Sequence, residues 1–233
     1  MPDDKTVERL VADATTAPSM HNAQPWRFRF LRDSGTLELR ADPTRAMPAS
    51  DPSHRALHIG CGAALFNLRV AAAHTGRLPQ VRLLPDHADP GLLALISLSD
   101  GPPEKTDADL EQLYPAIQRR HTSRYPFSEQ GLSDAQRAVL TDAADREGAV
   151  LLFPAAWHLN LLLDLVEDAE GRDGVEPARD EDLVRWTQVG AAEADTATEG
   201  VPEYAFGPHK REGRAPVRDF AGRRPVSDRG TTA

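Results

Sequence analysis

The stretch Ala17-Pro18-Ser19-Met20-His21-Asn22-Ala23-Gln24-Pro25-Trp26-Arg27-Phe28 decides how this chain is read. Upstream of it Val7, Leu10, Val11 and Ala14 recur at helical spacing, and downstream Trp26, Phe28 and Phe30 alternate as they would along a strand. The stretch is therefore a helix-to-strand junction. It carries a hydroxyl, an imidazole, two carboxamides and two prolines, which suits a loop of restricted backbone freedom presenting donors and acceptors. Loops held by rigid elements are where ligands are commonly met. The same residue types serve equally well as a cap and turn, and composition alone leaves both readings open.

The rest of the chain bounds the answer. Its 233 residues suffice for one large domain or two small lobes. A net charge of -9 argues against general nucleic-acid binding, so any phosphate on a ligand must meet a local basic cluster. No apolar run approaches the eighteen residues of a membrane span, and Met1-Pro2-Asp3-Asp4 is acidic where a secretion signal is basic. The single cysteine, Cys61, excludes an intrachain disulfide and suits a reducing compartment, so a soluble, cytoplasmic protein is expected.

In order, Trp26 to Arg32 and Thr36 to Ala41 read as strands around an Asp33-Ser34-Gly35 turn. A polar stretch runs to about Arg55. His58 to Ala73 is the most apolar element, a helix with a stripe of Ile59, Ala63, Phe66, Val70 and Ala73 and further apolar residues off it, hence buried. Gly76 stops it. Val81 to Leu84 and Leu92 to Leu98 are two more strands, the second suited to a central position. A linker, Asp100 to Lys105, leads to a helix over Asp107 to Arg120 bent at Pro115. Ser133-Asp134-Ala135-Gln136 forms a capping box for a helix reaching Glu147. Ala149 to Phe153 reads as a strand, Trp157 to Ala169 and Asp180 to Ala194 as helices, and the chain beyond Thr196 as irregular.

Several chemical motifs dissolve on inspection. Gly60-x-Gly62 lacks the third glycine and the preceding strand of a dinucleotide fingerprint and reads as close helix packing. His54 and His58 share a helical face near Asp51, but spacing places no third ligand and no metal is expected. Cys61 reads as a small core residue. One cluster survives: Arg119-Arg120-His121-Thr122-Ser123-Arg124 gathers three guanidiniums, an imidazole and two hydroxyls. Arginine's planar fork matches phosphate oxygens in pairs, although a basic cluster also complements a helix C-terminus.

The order Pro18-Ser19-x-x-Asn22-x-Gln24-Pro25-Trp26-x-Phe28 resembles the flavin-contacting loop of the nitroreductase family, FMN-dependent NAD(P)H oxidoreductases of α+β fold. Arg119 to Phe127, followed by the capping box, is similar to that family's phosphate and ring-binding segment. The resemblance implies an FMN site in which Pro18, Ser19, Met20, His21, Asn22 and Gln24 meet Arg119, Arg120, His121, Thr122 and Arg124. It names no catalytic acid or base; His21 would be a ring contact or proton donor at most. In that family the arginine segment comes first, and the two segments meet across a dimer interface. Here their order is reversed, as in the twin-lobed actinobacterial, dormancy-associated branch, where two degenerate lobes form a pseudo-dimer.

That resemblance implies a first lobe over residues 1–104, a truncated second lobe over 105–195, and a lid-like or disordered tail over 196–233. A second copy of the buried helix, expected after the lid, does not follow before Ala233, so on this resemblance the chain is a truncated form, or a partner such as a second copy in a homo-oligomer supplies the missing packing, or the second lobe is minimal. The implied activity is hydride transfer from NAD(P)H through FMN to nitroaromatics or quinones, with small-molecule substrates and no nucleic-acid or membrane partner. The alternative is a flavin-storage protein with little or no turnover, motivated by the lid-like segment around Tyr204 and Phe206.

Overall fold

The computed structural model describes residues 2–100, 107–125, 128, 130–173, 177–188 and 199–207. The fold is α+β. Compactness divides the chain into one unit of Met1–Thr122 with Ala178–Glu203 and another of Ser123–Pro177 with the chain from Tyr204 onward. These units cut across the lobe boundaries drawn at 104 and 195.

In the first unit, helix α1 (Asp4–Thr15) starts at Asp3, whose carboxylate accepts from the Thr6 N–H at 2.8 Å. It buries Val7, Leu10 and Ala14. Strands β1 (Trp26–Leu31) and β2 (Thr36–Ala41) form the expected hairpin, with Gly35 at φ 63° supplying the left-handed residue of its turn. Strands β3 (Arg77–Leu83) and β4 (Leu92–Asp100) complete an antiparallel sheet in the order β1-β2-β4-β3, which makes β4 internal as its apolar run suggests. Trp26, Phe28 and Phe30, with Leu37, Leu39, Ala94, Ile96 and Leu98, turn to one core. Helix α2 (Arg55–His74) packs against β1, β2 and β3 and against α1.

Within α2 the expected stripe is corrected at Ile59, which is 63% exposed, whereas Leu57, Gly60, Cys61, Ala64, Leu65 and Leu68 face inward. The helix is buried over much of its circumference, so no single stripe describes it. By length and composition alone Arg55–His74 could cross a membrane; here it is the core helix of this unit. Strand β3 begins four residues before the expected Val81, and Pro79 is tolerated within it because β3 is the edge strand of the described sheet, paired to β4 on its inner side.

Helices α3 (Ala108–Glu111) and α4 (Tyr114–Arg119) replace the single helix expected over 107–120. The break falls at Gln112–Leu113, and Pro115 enters at the tolerated first turn of α4. Tyr114 Oη donates to Asp13 Oδ2 and Gln118 Nε2 to Asp13 Oδ1, both at 3.1 Å, while the Tyr114 ring stacks on His74 at 3.8 Å. Those contacts fasten α4 to α1 and α2.

In the second unit, α5 (Asp134–Arg146) has the capping box: Gln136 N–H donates to Ser133 Oγ at 3.3 Å and Ser133 N–H to Gln136 Oε1 at 2.9 Å. Gly148 at φ 70° ends it. The strand expected over Ala149–Phe153 is not formed; these residues are irregular and exposed, and they have no ladder partner among the described residues. Alternating apolar residues do not make a strand where no neighbouring strand accepts them. Helix α6 (Ala156–Asp173) runs longer than expected and leaves Trp157, Leu161, Leu162 and Leu165 half-exposed or more.

Helix α7 (Pro177–Arg185) ends nine residues before the expected Ala194. Trp186 leaves it inward, 5% exposed, and two-residue strands β5 (Thr187–Gln188) and β6 (Val201–Pro202) pair in parallel. The linker expected at 100–105 and most of the tail beyond 207 lie outside the described residues.

Candidate functional site

The junction after α1 is an irregular turn whose geometry follows from its sequence. Met20–Asn22 make a single tight turn, and His21, Asn22 and Gln24 take φ of 50°, 55° and 51°. Three non-glycine residues in the left-handed region within four positions store on the order of 1–3 kcal/mol each. Asparagine tolerates that region best. Short hydrogen bonds hold it: Asn22 N–H to Ser19 O at 3.0 Å, Ala23 N–H to Met20 O at 3.0 Å, and Gln24 N–H to Ser19 Oγ at 2.9 Å. Arg45 Nη1 donates to Ala23 O at 2.8 Å from outside the turn. His21 is buried, Pro18 is exposed, and Ser19, Met20, Asn22 and Gln24 are intermediate.

Helix α2 seats the turn from below. A Cβ on Gly60 would lie 3.2 Å from Ser19 Cβ and 3.5 Å from Pro25 Cγ, so a larger residue here would push the turn back by a few tenths of an ångström. Around Gly62 nothing lies within 4 Å, and the close-packing reading holds for the first glycine alone. Cys61 Sγ donates to Pro25 O at 3.3 Å, and burial pushes its thiol up to about 12. It is a neutral core residue.

The arginine segment reaches the same neighbourhood. Arg120 Nη2 donates to Thr16 O at 2.9 Å and Nη1 to Thr122 Oγ1 at 3.3 Å, which sets this guanidinium at the end of α1, two residues before Pro18. Arg120, His121 and Thr122 are all exposed there. Arg119 lies in the last turn of α4, where its Nε donates to Pro115 O at 3.0 Å within the same helix. Arg124 belongs to the second unit, where its Nη1 donates to Ala205 O at 3.0 Å and burial lowers its pKa. Gly207, at φ 79°, lies so close that a Cβ would come within 2.7 Å of Arg124 O.

Four contacts at this turn or beside it had no local signal in the sequence. Gly200 N–H donates to Asn22 O, and Asn22 Nδ2 donates to Gly200 O, each at 3.1 Å. Glu199 pairs with Arg45. Trp186 packs on Met20, Ala23 and Met47. The Asp182 carboxylate, 8% exposed, accepts from the Ala49 and Ser50 N–H groups at 3.1 and 3.0 Å. All four are long-range in sequence, which no spacing rule reaches.

Chemically, the exposed Arg120 guanidinium with the Thr122 hydroxyl and His121 suits a phosphate monoester. The Asn22 carboxamide and the neighbouring backbone groups can read a flat heterocycle's alternating donors and acceptors. The donor set therefore suits a phosphorylated heterocyclic ligand. Among the described residues no group of three or more His, Cys, Asp or Glu is placed to hold a metal ion; His58 Nδ1 lies 2.6 Å from His54 O instead.

No family model matches the chain. Individual proteins do. It is 31% identical over 221 residues, 95% of its length, to "Putative NAD(P)H nitroreductase Rv3131" of Mycobacterium tuberculosis, and 37% identical over 123 residues, 53% of its length, to "Putative NAD(P)H nitroreductase acg" of the same organism. The chain spans 61% of the first relative's length and 36% of the second's. A nitroreductase family protein of Streptococcus pneumoniae overlays on 42% of this chain and 80% of its own at TM-score 0.37 and 19% identity, an overlap that bears no weight on the site. Along 95% of its length, then, this chain is similar to the first of these mycobacterial proteins and along 53% to the second, both bearing the name "Putative NAD(P)H nitroreductase", in agreement with the resemblance of its Pro18 to Phe28 stretch.

Proposed function

We propose that the chain is an FMN-binding, nitroreductase-like oxidoreductase that uses NAD(P)H to reduce small molecules such as nitroaromatics or quinones. The observation that carries this reading is the hydrogen bond from Arg120 to Thr16 O, which brings the basic segment to the turn that holds Ser19 and Asn22. The names of its mycobacterial relatives support the reaction class. On this reading the two segments descend from degenerate halves of one duplicated fold, and a second copy of the chain covers the exposed apolar side chains of α6.

Bound flavin would supply the redox chemistry, accepting hydride from the nicotinamide and passing it to the substrate. The protein's own part is to bind and orient. Arg120 and Thr122 hold the phosphate, Asn22 and the backbone of the left-handed turn hold the ring edge, and α2 keeps that turn rigid through Gly60. Buried His21, beside Asn22, orients the turn rather than transferring a proton. The alternative reading is flavin storage with little turnover. It draws on residues 199–201 seated against Asn22, which limit the approach of a nicotinamide.

The test is spectroscopic. Purified protein incubated with FMN and desalted is expected to retain flavin absorbance, and NADPH is expected to bleach it within seconds to minutes. Retained colour that NADPH leaves unbleached favours storage. Colourless protein contradicts both readings.

A further inference from the structure

Glu199–Pro202 and the end of α7 with Trp186 act together on the Asn22 turn. Gly200 does so through a reciprocal pair of hydrogen bonds that engages the Asn22 carbonyl and its carboxamide at once. Glu199 draws on Arg45, the side chain that also holds Ala23 O. Val201, 1% exposed, donates its N–H to Trp186 O at 2.8 Å, and Trp186 fills the space against Met20, Ala23 and Met47. The depression left beside the turn, lined by residues including Met20, Ala23, Arg45 and Met47, holds about 10 Å³, room for one water. An aromatic ring does not enter it.

Two features mark this arrangement as separable from the core of the unit. Gly200 sits at φ 85°, a conformation glycine alone adopts cheaply, so the peptide is shaped for this contact. The Trp186 indole N–H, buried with its ring, finds no acceptor among the described residues. A buried donor left unsatisfied weakens the seat it occupies. The contact is thus specific in its hydrogen bonds and yet carries a built-in cost.

We propose that the Gly200 peptide is a competitive latch: it occupies the Asn22 groups that a planar heterocyclic ligand would bind, and such a ligand enters only when residues 199–201 leave the turn. This rests on the flavin reading of the turn and adds to it a direction of coupling. A latch that competes lowers the ligand's affinity, whereas a cover that closes over bound ligand raises it. Binding and release are linked, so whatever loosens Glu199 from Arg45 also strengthens ligand binding.

The experiment compares the full chain with Glu199→Gln, which keeps size and removes the ion pair, and with Gly200→Val, which disfavours the left-handed peptide. FMN affinity is read by quenching of flavin fluorescence, and amide exchange of residues 22 and 200 is followed with and without FMN. The expected result is about fivefold or greater tightening in each variant, with loss of Gly200 amide protection when FMN saturates the wild type. Equal or weaker binding in folded variants, or a Gly200 amide that stays protected in the complex, overturns the latch while leaving the flavin reading intact. Binding by neither wild type nor variants overturns both. Binding by the variants alone supports the latch and explains a wild type that purifies without colour.

Discussion

Arg120 and Thr16, 104 residues apart in sequence, are joined by a 2.9 Å hydrogen bond from the guanidinium Nη2 to the backbone carbonyl. The carbonyl belongs to the C-terminal cap of α1, and the residues that follow it form the Asn22 turn. Arg120 is exposed, and because Thr16 O and Thr122 Oγ1 accept from its two terminal nitrogens the guanidinium is held in place with little of its side-chain entropy left to lose.

From this follows a graded loss of affinity. Arg120→Ala is expected to weaken FMN binding by roughly ten- to a hundredfold, the worth of about 1.5–3 kcal/mol for a hydrogen bond to a charged group. Arg120→Lys keeps charge but not the fork and should fall between the two. The melting temperature should barely change, since the side chain covers no core. Fluorescence titration and thermal melts of the three proteins measure both.

The two glycines of α2 should respond in opposite directions. Gly60→Ala pushes a methyl against Ser19 and Pro25 and is expected to destabilise by about 1–3 kcal/mol, shifting the amide signals of the Asn22 turn. Gly62→Ala meets open space in mid-helix and is expected to stabilise by about 0.5–1 kcal/mol. Urea unfolding of each variant reads the sign directly.

Much of this arrangement could be read from local pattern. The Asp33-Ser34-Gly35 hairpin, the buried helix around Cys61 and the Ser133 to Gln136 capping box follow from turn chemistry, apolar content and hydrogen-bond reach over three or four residues. What escaped is non-local. Ile59 looks like any core residue until the sheet's position is known. Val150, Leu152 and their neighbours alternate like a strand but have no partner to pair with. Trp186 and Gly200 act on the Asn22 turn across more than 150 residues, and Asp182 reads as one more charge on a polar helix until its carboxylate is found capping the Ala49 and Ser50 N–H groups.

Acid should expose one of the buried carboxylates. Burial alone would raise the Asp42 pKa, but the Thr44 hydroxyl, the Arg27 guanidinium and the Thr44 N–H together outweigh it and hold the group below its ordinary value. A carboxylate depressed in the folded state contributes stability above its unfolded pKa of about 4, and loses it as pH falls through the folded value. Asp42→Asn is expected to flatten the fall in melting temperature below about pH 4, while lowering stability at neutral pH.

Cys61 behaves in the opposite sense. With its thiol raised to about 12 by burial, the folded state stays protonated where the unfolded chain ionises. Its contribution is complete below about pH 9 and is lost as pH rises from there toward 12. Native protein at pH 8 should resist a thiol reagent that reacts at once after denaturation, and Cys61→Ala should blunt the alkaline loss of stability.

The most direct test of the account follows the backbone amides of residues 19–24 and 120–122 by NMR while FMN is titrated into the full chain. The account predicts that both groups shift together and saturate at one FMN per chain. Saturable binding in which only one of the two segments responds, or no saturable binding at all, would contradict it.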